Sequence, residues 1–412
     1  MRILLTVEFY RAYGGGGIAE QVKQIAEGLV KLSHEVYVAT GYAENRPEII
    51  NGVKIIPFKI FGNSVEGISG EIDKYRKFLL SGDFDVIVNF AANVWTTDIA
   101  LELGPKIKAK KILSTPGVSM LKLPESYKIS FSFSGLRQLI KSFYKRIKVL
   151  LGSSSLNLQQ SYLNYYEAFY VPALKNYDRI VYTSANYQDK IFGDQRGLTD
   201  KAIIISNGAS KEEFLSGDNF KIREKFGIKT KYLAITVANH YLAKGHSFVI
   251  DAFKKMRRQD TTLLIIGQIP GGYGLRKIGH FFVGCYLDCV LADKFNKNIL
   301  VIDGSSRELV LSAYKNADVF LFGSELECAP LVMYESFASK TLFITREVGN
   351  VRDHQDYLEI IKTPEEMAKK ANFYLDHPEE RKKITEKAFS EWQNDYTWSR
   401  VVEKYNSLLQ SI

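Results

Sequence analysis

Apolar runs of strand length alternate with helical patterns twice along this chain, and that alternation constrains its fold more than any other feature. In the first series the runs fall at residues 3–7, 35–40, 53–58, 86–90, 111–114, 180–183 and 202–206. A helical pattern at 18–32 fills the first gap, with Val22, Ile25, Ala26, Leu29 and Val30 on one face. The second series has runs at 232–237, 263–267, 300–302, 319–322 and 342–345. Strands joined through helices pair side by side in parallel, so each series predicts an α/β domain with a doubly wound sheet. Glycine and polar residues interrupt the pattern between 207 and 218. The expected division is a first domain over 1–212 and a second over 213–389. A last helix within about 390–412, with Trp398, Val401, Val402, Tyr405 and Leu408 as its apolar stripe, is expected to pack back on the first domain.

At 412 residues and 46% hydrophobic, the chain can fill two full cores. No apolar run reaches the roughly 18 residues of a membrane span. Met1-Arg2 leads straight into the first run rather than into a signal segment. Cys285, Cys289 and Cys328 make neither an even disulfide set nor a zinc spacing, which points to a reducing cytoplasm. Cys285 and Cys289, one helical turn apart, are expected as packing residues.

After the run at 319–322 the chain reads E-C-A-P-L-V-M-Y-E from Glu327 to Glu335. Pro330 fits a first helical turn, and Val332, Met333, Phe337 and Ala338 give the following segment an apolar face. Glu327 is thereby placed in a loop and Glu335 inside a helix. At about 1.5 Å rise per residue the two acids are roughly 10 Å apart, the length of a nucleotide's sugar-phosphate portion rather than of one metal site. One acid can hold a transferred sugar and the other a ribose, with the helix N-terminus facing phosphate. Taken alone, the pair reads first as a solvated loop acid and a helix-surface acid.

Gly14-Gly-Gly-Gly17 lies between the first strand and the first helix, where backbone N–H groups can approach an anion. It is neither a G-x-G-x-x-G fingerprint nor a P-loop. This turn, the stretch Ile205-Ser-Asn-Gly-Ala209, the segment Val237-Ala-Asn-His-Tyr-Leu-Ala-Lys-Gly-His246 and the two acids occur in the order found in retaining nucleotide-sugar glycosyltransferases. The chain resembles glycosyltransferase family 4, of the GT-B architecture, over nearly its whole length. The resemblance implies two Rossmann-like domains facing a cleft, with the donor held mainly by the C-terminal one and the acceptor mainly by the N-terminal one. It implies that Glu327 is catalytic and holds the donor sugar's hydroxyls, and that Glu335 holds the ribose. Lys244 and the N–H groups of Cys328 and Ala329 would hold the donor diphosphate, with Gly16 and Gly17 bordering it. A cation at Lys244 stabilises the leaving group as its bond breaks. His246 is expected to cap or pack rather than react.

Two departures from the family pattern stand out. Asn239 occupies the usual arginine position of V-G-R-x4-K-G-H, so Arg307 or Arg346 would have to restore the lost charge. After the run at 111–114 the family often places a histidine, whereas here Thr115-Pro-Gly-Val-Ser119 follows. None of the six histidines lies between His34 and His240, so a hydroxyl or backbone group from Thr115 or Ser119 is expected to line the site. The family's mechanism puts the acceptor proton on the leaving phosphate, which keeps transfer possible without that histidine. Asp83-Phe-Asp85 resembles a metal-binding D-x-D but leads directly into a strand, and reads as a turn. A metal-independent reaction is expected, with no metal site and no cofactor beyond the sugar donor.

The net charge of +9 is concentrated in 136–151. There Leu136, Leu139, Ile140, Phe143, Ile147 and Leu150 recur at helical spacing before Leu151, among Arg137, Lys141, Lys145, Arg146 and Lys148. Such a helix either attaches to an anionic membrane surface or packs its apolar stripe on the domain and leaves a solvated basic face. No nucleic-acid module accompanies the charge. The sequence thus predicts a cytoplasmic glycosyltransferase, peripheral to the membrane in the first case, acting on a glycan or lipid-linked acceptor. The competing reading is a non-catalytic scaffold of the same fold that binds nucleotide sugar.

Overall fold

The computed structural model describes residues 1–10, 16–115, 117–118, 161–268, 285–304 and 306–412. Ser119 and the basic segment 136–151 lie outside them. Two compact units result, one from the described residues up to Ser206 together with Trp398–Ile412, the other from Asn207–Thr397.

The first unit is built on β1 (Arg2–Thr6), β2 (Glu35–Gly41), β3 (Ile49–Ile50), β4 (Val53–Phe58), β5 (Ile60–Asn63), β6 (Gly67–Gly70), β7 (Val86–Phe90), β8 (Lys110–Ser114), β9 (Arg179–Tyr182) and β10 (Ala202–Ile204). Eight of these form one sheet in the order β10-β9-β8-β7-β1-β2-β4-β3, parallel except where β3 pairs with β4. The short antiparallel hairpin β5–β6 has no counterpart in the apolar rhythm, because Ile60 alone among its residues is buried. Central strands are mostly apolar, as burial on both faces favours: all five residues of β7 are buried, and its one polar residue, Asn89, donates from Nδ2 to Thr6 Oγ1 of β1 at 2.7 Å.

Helix α1 (Gly17–Lys31) follows β1 and buries Ala19, Val22, Ile25, Ala26 and Leu29. α2 (Ile72–Ser81) and α3 (Trp95–Leu103) pack an aromatic cluster in which the Tyr75 ring meets Phe58 and Trp95 edge-on. α4 (Gln188–Asp194) lies between β9 and β10.

The second unit carries β11 (Tyr232–Val237), β12 (Thr261–Gly267), β13 (Ile299–Asp303), β14 (Val319–Phe322), β15 (Leu342–Arg346) and β16 (Glu359–Ile361). They form an all-parallel sheet in the order β13-β12-β11-β14-β15-β16. Its longer helices are α5 (His246–Met256), α6 (Tyr286–Phe295), α7 (Arg307–Asn316), α8 (Leu331–Ala338), α9 (Pro364–Asp376) and α10 (Pro378–Asp395). Apolar residues on both faces of the sheet pack into separate clusters, one including Leu264, Phe320, Phe343 and Trp392, the other Leu263, Ile265, Leu321 and Ile344.

The last helix, α11 (Trp398–Gln410), belongs to the first unit and buries Trp398, Val401, Val402, Tyr405 and Leu408. It lies so close to α1 that a β-carbon on Gly28 would sit 2.4 Å from Val402 Cγ2. Tyr405, fully buried, hydrogen-bonds Ser114 Oγ at 2.6 Å. The division falls at Asn207 and Trp398 rather than at 213 and about 390. The cause is local: Asn207 Nδ2 donates to Ala329 O at 2.9 Å, Trp392 Nε1 donates to Ala209 O at 3.3 Å, and Ala209 bridges to Thr397. These contacts tie the connecting stretch and α10 to the second unit. Among the described residues, no helix is long and apolar enough to cross a membrane.

Candidate active site

In an open parallel sheet, ligands bind beyond the carboxyl ends of the strands where strand order reverses. In the second unit that point lies between β11 and β14, whose neighbours run outward in opposite directions. The loops leaving these two strands carry Lys244 and Glu327. Lys244 Nζ donates to Glu327 Oε1 at 2.7 Å, and Ser324 Oγ reaches the same oxygen at 2.8 Å. The Glu327 side chain is 15% exposed and that of Lys244 30%, so the pair is partly accessible.

Local backbone chemistry holds the pair in place. The β11 loop tightens into a turn at Leu242–Lys244 and continues into α5 through Gly245, whose φ of 65° is left-handed. A β-carbon there would lie 1.9 Å from Gly323 O, so only glycine lets the two loops touch. Glu325 N donates to Ala243 O at 2.8 Å, tying the two loops together.

Glu335 sits inside α8 and is 9% exposed. Arg307, the first residue of α7, donates from Nη1 to Glu335 Oε1 at 2.6 Å and from Nη2 to Glu213 at 2.5 Å. Burial works against the Arg307 charge, but the two carboxylates outweigh it and hold the guanidinium ionised. Cys328 and Ala329 immediately precede Pro330, which is the N-cap of α8 rather than a residue of its first turn. The other candidate cation, Arg346 at the carboxyl end of β15, pairs with Glu325 at 2.9 Å. Asn239 accepts from Gln268 N at 3.4 Å. Arg346 therefore joins the loop that bears Glu327, while Arg307 braces Glu335.

The reversal in the first unit lies between β1 and β7. Gly16 caps α1 with φ 92° and no side-chain cap, and Gly17 opens the helix. Ala91, Asn93 and Thr115, just beyond β7 and β8, all have positive φ. For a β-branched residue such as Thr115, at 51°, this is strain of about 1–3 kcal/mol. Thr115 is buried, and its Oγ1 donates to Gln21 Oε1 of α1 at 3.1 Å. Sequence reasoning also missed Glu8, two residues past β1. Burial, reinforced by the charge of Asp98, raises its carboxyl from 4.5 to about 7. An acid following the first strand and preceding a glycine turn was the available signal.

Asp83 and Asp85 stand at the opposite, amino-terminal edge of the first sheet. Asp85 Oδ2 accepts from Arg2 N at 2.7 Å, and Asp83 pairs with the Arg2 guanidinium at 2.9 Å. They secure the start of β1, far from the end at which parallel sheets bind ligands.

Cys285 and Cys289 pack, but not among apolar residues alone. They meet His240 and His246, so the four donor atoms lie within 4.8 Å of one another.

The two Rossmann-like units define the GT-B fold of glycosyltransferases. Residues 218–391 match the family of Glycosyl transferases group 1. The chain is 26% identical over 220 residues to a probable sucrose-phosphate synthase of Thermosipho melanesiensis, a match covering 52% of this chain and 48% of that protein. The chain therefore spans about half the length of the curated relative it matches. Among solved structures it is similar to sucrose-phosphate synthase from Thermosynechococcus elongatus, with a TM-score of 0.74, 14% identity and coverage of 100% of this chain and 98% of that one. It is also similar to Anabaena HepE in complex with UDP and glucose, with a TM-score of 0.70, 12% identity and full coverage of both chains. The solved structures share the fold of this chain, and the family match lies within its second unit.

Proposed function

We propose that the protein is a retaining glycosyltransferase that moves a sugar from a nucleoside-diphosphate donor to an acceptor hydroxyl. The observation that carries this reading is the Lys244–Glu327 pair at the strand reversal of the second unit. A bound diphosphate would draw Lys244 away from Glu327, since a doubly charged oxygen cluster attracts the ammonium more strongly than one carboxylate does. Glu327, still held by Ser324, would then accept hydrogen bonds from the sugar's hydroxyls. Glu335, braced by Arg307, would accept from the ribose.

In the transfer step the acceptor oxygen attacks the anomeric carbon from the leaving-group side and the bond to the phosphate oxygen breaks. The acceptor proton passes to that phosphate oxygen, so no protein base is required. Lys244 neutralises the charge that grows on the departing diphosphate. This chemistry requires no metal ion at the reacting centre, and the paired aspartates Asp83 and Asp85 are committed to Arg2. The name of the Thermosipho relative favours a phosphorylated sugar as acceptor, while the basic segment at 136–151 favours a lipid-linked glycan.

Release of nucleoside diphosphate from a panel of donors, with hexose phosphates, lipid-linked glycans or no acceptor, tests the reading. Acceptor-dependent release supports it. Tight donor binding without release under any condition would make the protein a nucleotide-sugar binding scaffold.

A further inference from the structure

We propose that His240, His246, Cys285 and Cys289 bind one thiophilic divalent cation of the Zn2+ class in a closed, four-coordinate site. All four are buried, with exposures of 4%, 0%, 1% and 0%. His246 Nδ1 is 3.1 Å from Cys285 Sγ, His240 Nδ1 is 3.9 Å from it, and the two imidazoles meet edge to face at 4.9 Å. A zinc tetrahedron with Zn–S near 2.3 Å and Zn–N near 2.0–2.1 Å separates its donor atoms by about 3.3–3.8 Å. The four donors, all within 4.8 Å of one another, need shift by no more than side-chain adjustments to enclose an ion.

The donor chemistry selects the ion. Two thiols and two imidazoles, without a carboxylate, suit zinc and disfavour magnesium, calcium and manganese. Each imidazole already turns Nδ1 toward the Cys285 sulfur, and its Nε2 is buried without a hydrogen-bond partner among the described residues. Deprotonation of both thiols on binding would balance the charge of the cation.

The site has a clear mechanical consequence. His240 and His246 bracket the turn that bears Lys244, whereas Cys285 is the N-cap of α6 and Cys289 lies one turn into that helix. The ion would staple the Lys244 loop to α6. With four protein ligands it offers no open position for substrate, so its role is positioning rather than catalysis. That consequence for Lys244 rests on the glycosyltransferase reading; the metal site itself does not.

The test uses the full chain, stripped of metal under reducing, anaerobic conditions and titrated with Co2+. The expected result is saturation at one Co2+ per chain. It should show a thiolate-to-cobalt charge-transfer band and the strong visible bands of tetrahedral coordination, lost on adding Zn2+, which should also raise the melting temperature of the stripped protein. Cys289→Ser and His246→Gln should lose or redistribute these bands. Absence of stoichiometric thiolate-bound cobalt in the wild type overturns the proposal, as does an unchanged spectrum in a Cys289→Ser protein that remains folded by circular dichroism. Because no sugar enters the titration, its failure is distinct from failure of the glycosyltransferase reading.

Discussion

Arg307 holds Glu335 at 2.6 Å from the first turn of α7, although the two residues lie 28 positions apart in the chain. The carboxylate assigned to a ribose is therefore oriented before any nucleotide arrives. Glu335→Ala should lose about 1.5–3 kcal/mol of nucleotide affinity, the worth of a hydrogen bond to a charged group. Arg307→Met should weaken binding through loss of that orientation, and it leaves Glu213 and Glu335 unpaired. Calorimetry with nucleoside diphosphate checks both, and wild-type affinity in the Glu335 variant contradicts the assignment.

Lys244→Ala should lower affinity for nucleoside diphosphate while leaving that for the nucleoside nearly unchanged, since only the phosphates meet the cation. Turnover should also be the same in buffer freed of magnesium and manganese as in buffer supplied with them. Equal losses of nucleoside and nucleotide affinity would place Lys244 elsewhere.

Much of the architecture was legible because parallel strands buried on both faces are written as continuous apolar runs: 53–58, 86–90, 232–237 and 319–322 coincide with β4, β7, β11 and β14. The β5–β6 hairpin and β16 escaped because they are short and only partly buried. Glu327 and Lys244 could each be singled out, but not their contact, which joins positions 83 apart. Glu213, which shares Arg307 with Glu335, carries no local signature at all. The grouping of His240 and His246 with Cys285 and Cys289 was hidden for the same reason, since only the fold brings α6 against the β11 loop.

Acid should destabilise the second unit through His354. Burial holds its imidazole neutral, lowering it from 6.5 to about 4, with Tyr334 Oη 3.3 Å from Nε2. The folded value is the depressed one, so stability is fully present above about pH 6.5 and is lost as pH falls toward 4, by on the order of 3 kcal/mol. Urea denaturation of wild type and His354→Gln across this range should show the difference between them shrinking as pH falls. A constant difference would contradict it.

Glu8 has the opposite sign. Its folded value, about 7, lies above 4.5, so the protonated form is favoured in the fold, and this contribution is lost as pH rises from 4.5 through 7. Glu8→Gln should therefore gain stability relative to wild type over that interval. Parallel denaturation curves with no relative change would show that the carboxyl is solvated.

The central claim is that Glu327 acts on the donor sugar while Lys244 receives the diphosphate. The most direct measurement pairs acceptor-dependent release of nucleoside diphosphate with calorimetric nucleotide affinity, for wild type and Glu327→Ala. The account predicts turnover by the wild type, a loss of about 100-fold or more in the variant, as for removal of a group that meets the reacting sugar, and nucleotide affinity retained or increased once Lys244 is freed from its partner. A Glu327→Ala protein that turns over at the wild-type rate, or a wild type that binds donor and never releases nucleoside diphosphate, would contradict it.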